Sequence, residues 1–149
     1  MQRFIQEENT MTPQQITLIQ HSWTEVVKIQ DTAAGLFYQR LFALDPTVRP
    51  MFKGDMQSQG KKLMQALGFI VNSLTRLDEL VPVAQDMARR HVGYGVQAQH
   101  YDTVGAALLW TLEQGLGLKF TDELKAAWAS AYGTLAQVMK DAAYAPAEI

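Results

Sequence analysis

His91 is the side chain in this sequence with the most chemistry open to it. It stands in the run Met87-Ala88-Arg89-Arg90-His91-Val92-Gly93-Tyr94-Gly95-Val96. The chain holds three histidines and no cysteine, and neither His21 nor His100 has a comparable setting. Without thiols there is no disulfide framework, no thiolate nucleophile and no cysteine-based zinc or iron–sulfur site. One imidazole does not make a metal site, but it can complete the coordination of an ion that another framework already holds. By residue type alone, a lone helical histidine is more often a packed or solvated side chain than a ligand. The elements around His91 have to decide between the two.

Those elements read as helices throughout. Thr12-Pro13-Gln14-Gln15 predicts a helix start, with Thr12 as cap, Pro13 at the first helical position and Gln15 completing a capping box. Ile16, Ile19, Trp23 and Val26 follow on one side. Asp31 is the expected cap of a second helix carrying Leu36, Phe37, Leu41 and Leu44, which Asp45-Pro46 breaks. Pro46 opens a short helix ending near Pro50 or Phe52, and Lys53-Gly54-Asp55 reads as a loop. Leu63, Leu67, Ile70, Leu74 and Leu77 alternate in steps of four and three, which predicts a long helix from about Gln57 to Leu77. Pro82 is expected to open the next helix, with Val83, Met87 and His91 on one stripe, and Gly93 and Gly95 to end it. Another helix spans His100 to Leu116, closed by Gly115 and Gly117. Thr121 then caps a last helix carrying Leu124, Trp128, Ala131, Leu135 and Val138, with fraying expected from Ala142. No segment alternates with period two, so the expectation is an all-α domain of about six to eight helices with short connections.

Length and composition narrow the function classes. The 149 residues suit one domain, assigned to residues 12–143, with 1–11 as an extension and 144–149 as a frayed end. The formal net charge is −2 and no basic run exceeds two residues, which argues against nucleic acid or an anionic membrane as partner. No apolar run is long enough to span a bilayer, and residues 1–10 lack the order of a secretory signal, so a cytoplasmic location is expected.

The order of features along these helices adds what His91 alone lacks. Tyr38 lies in the second helix, Phe52 closes the short one, Gln59 opens the long one with Leu63 a turn later, and His91 ends the next. In this order Tyr38, Phe52, Gln59, Leu63 and His91 resemble the globin family, most of all bacterial single-domain globins and the globin domain of flavohaemoglobins. The likeness runs from about Thr12 to Lys140. Asp45-Pro46, Lys62-Leu63, Gly95-Val96, His100-Tyr101 through Val104-Gly105, and Ala127-Trp128 through Ala131-Tyr132-Gly133 support it. No single motif is specific, whereas the ordered set is.

The resemblance implies a globin fold around haem b, held by packing and one ligand bond, since no cysteine is present for thioether attachment. His91 would be the proximal ligand as a neutral imidazole, its second ring nitrogen bound to an acceptor. Phe52 would stack on the porphyrin, Tyr38 and Gln59 would donate to bound dioxygen, and Leu63 would form an apolar ceiling. Each of these four is also explained without haem, as a core or surface residue of its type. Lys62 and Arg89 or Arg90 would lie near the haem propionates, and Val96 and Tyr101 beside the haem. No histidine lies between Gln57 and Leu67, which argues against two-histidine ligation. In flavohaemoglobins a tyrosine and a glutamate flank the proximal histidine. Tyr101 fits the tyrosine, but Ala143 falls at the glutamate position and Glu148 is displaced. No room is left before Ile149 for flavin and nicotinamide domains, so a catalytic cycle would need an outside reductase.

Three functions follow from this resemblance. The first is reversible binding of dioxygen, with carbon monoxide and nitric oxide as other ligands. The second is nitric oxide dioxygenase activity with a separate reductase. The third is a haem-free globin-like sensor or interaction module. The sequence leaves a monomer and a homodimer equally open.

Overall fold

The computed structural model describes residues 11–144. The extension expected over 1–11 and the frayed end expected over 144–149 lie outside these residues, apart from Met11 and Tyr144. Six α-helices and two 3-10 segments follow one another among the described residues, with no strand. They are α1 (Pro13–Val27), α2 (Gln30–Leu44), a 3-10 segment (Pro46–Met51), α3 (Met56–Asn72), α4 (Leu77–Gly93), α5 (His100–Leu116), a 3-10 turn (Gly117–Lys119) and α6 (Asp122–Tyr144).

Several starts and stops follow the expected chemistry. Thr12 and Gln15 form a reciprocal capping box, each side chain accepting from the other's backbone N–H at 3.1 Å. Asp45 accepts from Thr47 N–H to open the 3-10 segment, and Thr121 accepts from Leu124 N–H to cap α6. Gly117, at φ +57°, closes α5.

Five expectations are corrected. Asp31 does not cap α2: the helix begins at Gln30, and Asp31 sits inside its first turn, where its charge complements the helix dipole. The long helix stops at Asn72 rather than Leu77, because Leu74 is buried from within the turn that follows and so continues the periodic pattern without continuing the helix. Pro82 does not open α4, which begins at Leu77. A start at Pro82 would leave Leu80 outside the stripe Leu80–Ala84–Ala88, which is what α4 buries. The supposed Val83–Met87–His91 stripe is not the buried one: Val83 is exposed, and Met87 and His91 are half-buried. Finally, α6 remains helical through Tyr144, past the fraying expected from Ala142.

The core has two parts. The larger joins Ile19, Trp23, Phe37, Tyr38, Leu41, Met64, Leu108, Leu112 and Trp128, with Phe52, Leu63 and Leu67 at its margin. Trp128 Nε1 donates to Ser22 Oγ at 2.9 Å, satisfying a buried indole. The smaller joins Ala84, Ala88, Tyr101, Ala136 and Met139, with Met87, Val96 and Tyr144 at its margin. Tyr132 packs against both. α4 packs along α6, and α2 along α5 and α3. Among the described residues α3 and α4 form no substantial packed pair, although only residues 73–76 connect them. No described helix is long and apolar enough to cross a membrane.

Candidate functional site

One half of the site is built from α2, the 3-10 segment and the start of α3. α2 carries Tyr38 on its buried side, and packing of α3 on α2 buries Gly60, next to Gln59. The Tyr38 ring is edge-on to Phe37 and to Phe52, both at 5.2 Å between centroids, and stacks on Phe42 at 6.0 Å. Phe52 is also edge-on to Phe42, so the aromatic side chain at the end of the 3-10 segment braces the tyrosine. Tyr38 Oη donates to the backbone carbonyl of Gln59 at 3.1 Å. Burial pushes the Tyr38 hydroxyl up to about 12, so it is a phenol and a donor at neutral pH. The Gln59 amide nitrogen donates to the Lys53 carbonyl at 2.8 Å, which ties the loop before α3 to its first turn. Leu63 lies one turn on, half-buried at the margin of the larger core. Lys62 is exposed.

The other half is the end of α4. His91 lies in its last turn, half-buried, one turn beyond the last residue of the Leu80–Ala84–Ala88 stripe. Its Nδ1 is 2.6 Å from the carbonyl oxygen of Met87. A carbonyl only accepts, so Nδ1 holds the proton and a neutral ring keeps its lone pair on Nε2. That is the tautomer a metal ligand needs, with its orientation fixed from the far side. Tyr94 lies tilted beside the ring at 5.7 Å. The helix ends in a Schellman motif: Gly95 N–H donates to Val92 carbonyl at 3.0 Å and Val96 N–H to His91 carbonyl at 3.1 Å. Gly95 stands at φ +96°, where a Cβ would be strained. Arg89 is exposed, and Arg90 is paired with Asp86 at 3.0 Å, its charge turned back along α4.

Val96 and Tyr101, named from sequence beside His91, are joined in the smaller cluster. Tyr101 is buried in the first turn of α5; its backbone carbonyl accepts from Tyr132 Oη at 2.6 Å, and its own hydroxyl is buried with no hydrogen-bond partner among the described residues. Two participants escaped the sequence reading. Met87 acts through its backbone, which no residue type reveals. Tyr144 donates to the Val96 carbonyl, from a position where the sequence suggested loss of helix. The two halves meet where a Cβ on Gly95 would lie 3.9 Å from Met51 Cε, so the 3-10 segment faces the corner after α4.

His21 is exposed on α1. His100 is buried, accepts from Gln97 N–H at 2.9 Å and lies 3.7 Å from Asp45, so both its ring nitrogens are committed to structure. Among the described residues no group of three or more His, Asp or Glu side chains could hold a metal ion. A cavity of about 710 Å³ opens between α1, α4, α6 and the 73–76 turn, lined by Ile16, Ile70, Leu80, Ala84 and Leu135 among others. It includes none of Tyr38, Phe52, Gln59, Leu63 and His91, and its one titratable lining group is Asp78.

A model of the globin family matches residues 35–139. The flavohemoprotein of Bordetella parapertussis is 36% identical over 106 residues, which are 69% of this chain and 26% of that protein. The flavohemoprotein of Xylella fastidiosa strain Temecula1 is 30% identical over 135 residues, 89% of this chain and 34% of that protein. The chain therefore spans about a quarter to a third of the length of these relatives. Among solved structures, a bacterial globin from Campylobacter jejuni superposes with a TM-score of 0.76 at 29% identity, covering 88% of this chain and 95% of that one. An engineered carbene transferase, built on a candidate nitric oxide dioxygenase from Rhodothermus marinus, superposes with a TM-score of 0.77 at 28% identity, covering 87% and 91%.

Proposed function

The chain belongs to the globin family, and from that premise we propose that it holds haem b through His91 and binds dioxygen reversibly, with carbon monoxide and nitric oxide as competing ligands. One observation carries this reading: the Nδ1 bond of His91 to the Met87 carbonyl leaves Nε2 as a lone pair at the edge of a buried stripe. The residues fit the group in two further respects. α3 and α4, which carry Gln59 and His91, are not packed together. The buried hydroxyl of Tyr101, beside Ala88 and Val96, lacks a partner among the described residues.

The haem iron supplies the binding position for a diatomic gas, and the protein supplies everything around it. His91 gives the one protein ligand. Phe52 offers its ring to the macrocycle, and Leu63 keeps water away from the ligand side. Val96 and Tyr101 wall the His91 side. Tyr38 is the principal donor to a bound ligand. Its oxygen is fixed by three aromatic neighbours, so turning the O–H bond away from the Gln59 carbonyl redirects the donor without moving the ring. Gln59 is the second donor, on releasing the Lys53 carbonyl. Exposed Lys62 and Arg89 are freer to reach a propionate than Arg90, which must first leave Asp86. Residues 12–143 are taken as the domain that performs this binding.

Absorption spectra of the purified chain, ferric, reduced, and reduced with carbon monoxide, test this beside His91→Gly. A Soret band that shifts sharply with carbon monoxide and is lost or altered in the variant is expected. Folded, helical protein that takes up no supplied haem would overturn the proposal and leave a haem-free sensor or interaction module in its place.

The flavohemoprotein relatives and the Rhodothermus marinus structure favour a second reading. In it, nitric oxide and dioxygen become nitrate, and a separate reductase returns one electron per cycle. Sustained nitric oxide consumption with such a reductase, beyond a single equivalent per chain, distinguishes it from gas binding alone.

A further inference from the structure

We infer that Tyr144 is a positioning residue for His91, acting through the corner that ends α4; the inference rests on the reading of His91 as the haem ligand. Three bonds in series make the connection. Tyr144 Oη, at the C-terminal end of α6, donates to the Val96 carbonyl at 2.5 Å, across 48 residues of sequence. Val96 N–H donates to the His91 carbonyl at 3.1 Å. His91 Nδ1 in turn faces the Met87 carbonyl. The last of these sets the rotation of the ring about its own helix. The first two set where the last turn of α4 lies relative to α6.

The corner has little else to hold it. Gly93, Tyr94, Gly95, Gln97, Ala98 and Gln99 are all exposed, and Val96 is the one half-buried side chain between His91 and His100. Its other backbone bonds are local, within the Schellman motif and the turn into α5. Beside the packing of Val96 on the smaller cluster, a bond from a different helix therefore ties the corner to the body of the domain. The tie is itself braced. The Tyr144 ring meets Tyr101 edge-on, 6.4 Å between centroids at 82°. Tyr101 is 6% exposed, and Tyr132, three turns back along α6, holds its backbone carbonyl. Tyr144 thus presents its hydroxyl from a ring set against Tyr101, whose own backbone Tyr132 holds. A plain helix-end contact would need no such bracing.

Tyr144→Phe separates the bond from the packing, because the ring against Tyr101 is kept. The Gln137→Ala variant, which removes only the Gln137–Asp141 contact near the same helix end, is the control for general loosening of α6. Two readouts are made. Amide exchange at Gly95 and Val96, followed without added haem, is expected to quicken roughly fivefold in Tyr144→Phe, as loss of one hydrogen bond allows. It should not change in Gln137→Ala. In the haem-loaded reduced protein, the low-frequency Raman band of the iron–histidine bond is expected to shift in Tyr144→Phe and to stay fixed in the control. Faster exchange with an unmoved band would reduce Tyr144 to a tether of the corner and overturn the positioning role. Unchanged exchange would overturn the link itself. A wild-type chain that holds no haem would fail the reading of His91 and this inference together, whereas loaded wild type with an unmoved band in Tyr144→Phe fails the inference alone.

Discussion

At the scale of single residues, Tyr38 carries the sharpest consequence. Its ring has three aromatic neighbours, and its hydroxyl has one partner, the Gln59 carbonyl. Replacing it with phenylalanine keeps the packing and removes the donor. The fold should lose about 0.5–1.5 kcal/mol, while a donor to a partly charged ligand is worth more, about 1.5–3 kcal/mol. Dioxygen dissociation measured by stopped flow should therefore quicken roughly ten- to a hundredfold in Tyr38→Phe. An unchanged off-rate would remove Tyr38 from the mechanism. Burial raises the hydroxyls of both Tyr38, to about 12, and Tyr132 above the ordinary value of 10.0. Each keeps its proton in the folded state at a pH where the unfolded chain gives it up. The stability they contribute is present in full below about 10 and declines as pH climbs through 12. Thermal melts stepped through that range should fall in wild type and fall less steeply in Tyr38→Phe. The identities of Tyr38, Gln59 and His91 were legible in the sequence because their order along the helices is distinctive. Their partners were not, since Gln59, Met87 and Val96 all act through carbonyls, which every residue type has and only the crossing of helices selects.

At the scale of elements, periodicity located all six α-helices and misplaced their ends where another force decides. Leu74 is buried yet lies in a turn, and Leu80 is buried ahead of a proline. In α4 the demand to bury Leu80, together with Asp78 and Glu79 at the helix start, outweighs the backbone bond that Pro82 forgoes. The close approach of α5 and α6 was equally hidden. A Cβ on Gly105 of α5 would lie 2.7 Å from the Tyr132 ring of α6. Gly105→Ala should gain up to about 1 kcal/mol of helix propensity. It should lose about 1–3 kcal/mol to overpacking, because the ring it displaces is hydrogen-bonded to Tyr101. The balance predicts net destabilisation in denaturant titrations. Stabilisation there would mean that Tyr132 moves without cost and does not brace the α5–α6 contact.

At the scale of the whole molecule, the core is divided, and the division follows the two halves of the site. Tyr38, Phe52 and Leu63 belong to the larger cluster; Val96 and Tyr101 belong to the smaller, and Tyr132 packs on both. The larger cluster holds leucines, a phenylalanine and two tryptophans. The part of α4 in the smaller one is Ala84 and Ala88, whose small side chains let α4 lie close to α6 but bury little apolar area. With no substantial packed contact to α3 among the described residues, α4 has one main helix to hold it. A haem seated between α3 and α4 would join the two clusters and stabilise the folded state by mass action. Its removal should therefore not weaken the molecule evenly. Exchange protection should be lost first in Leu77–Gly93 and the corner to Val96, while Ile19, Leu41 and Leu112, which lie in the larger cluster, keep theirs. Hydrogen exchange of the haem-loaded and haem-stripped chain at matched temperature measures this segment by segment. A uniform loss along all six α-helices would show one cooperative core, and the divided architecture would then have no bearing on how the site is held open.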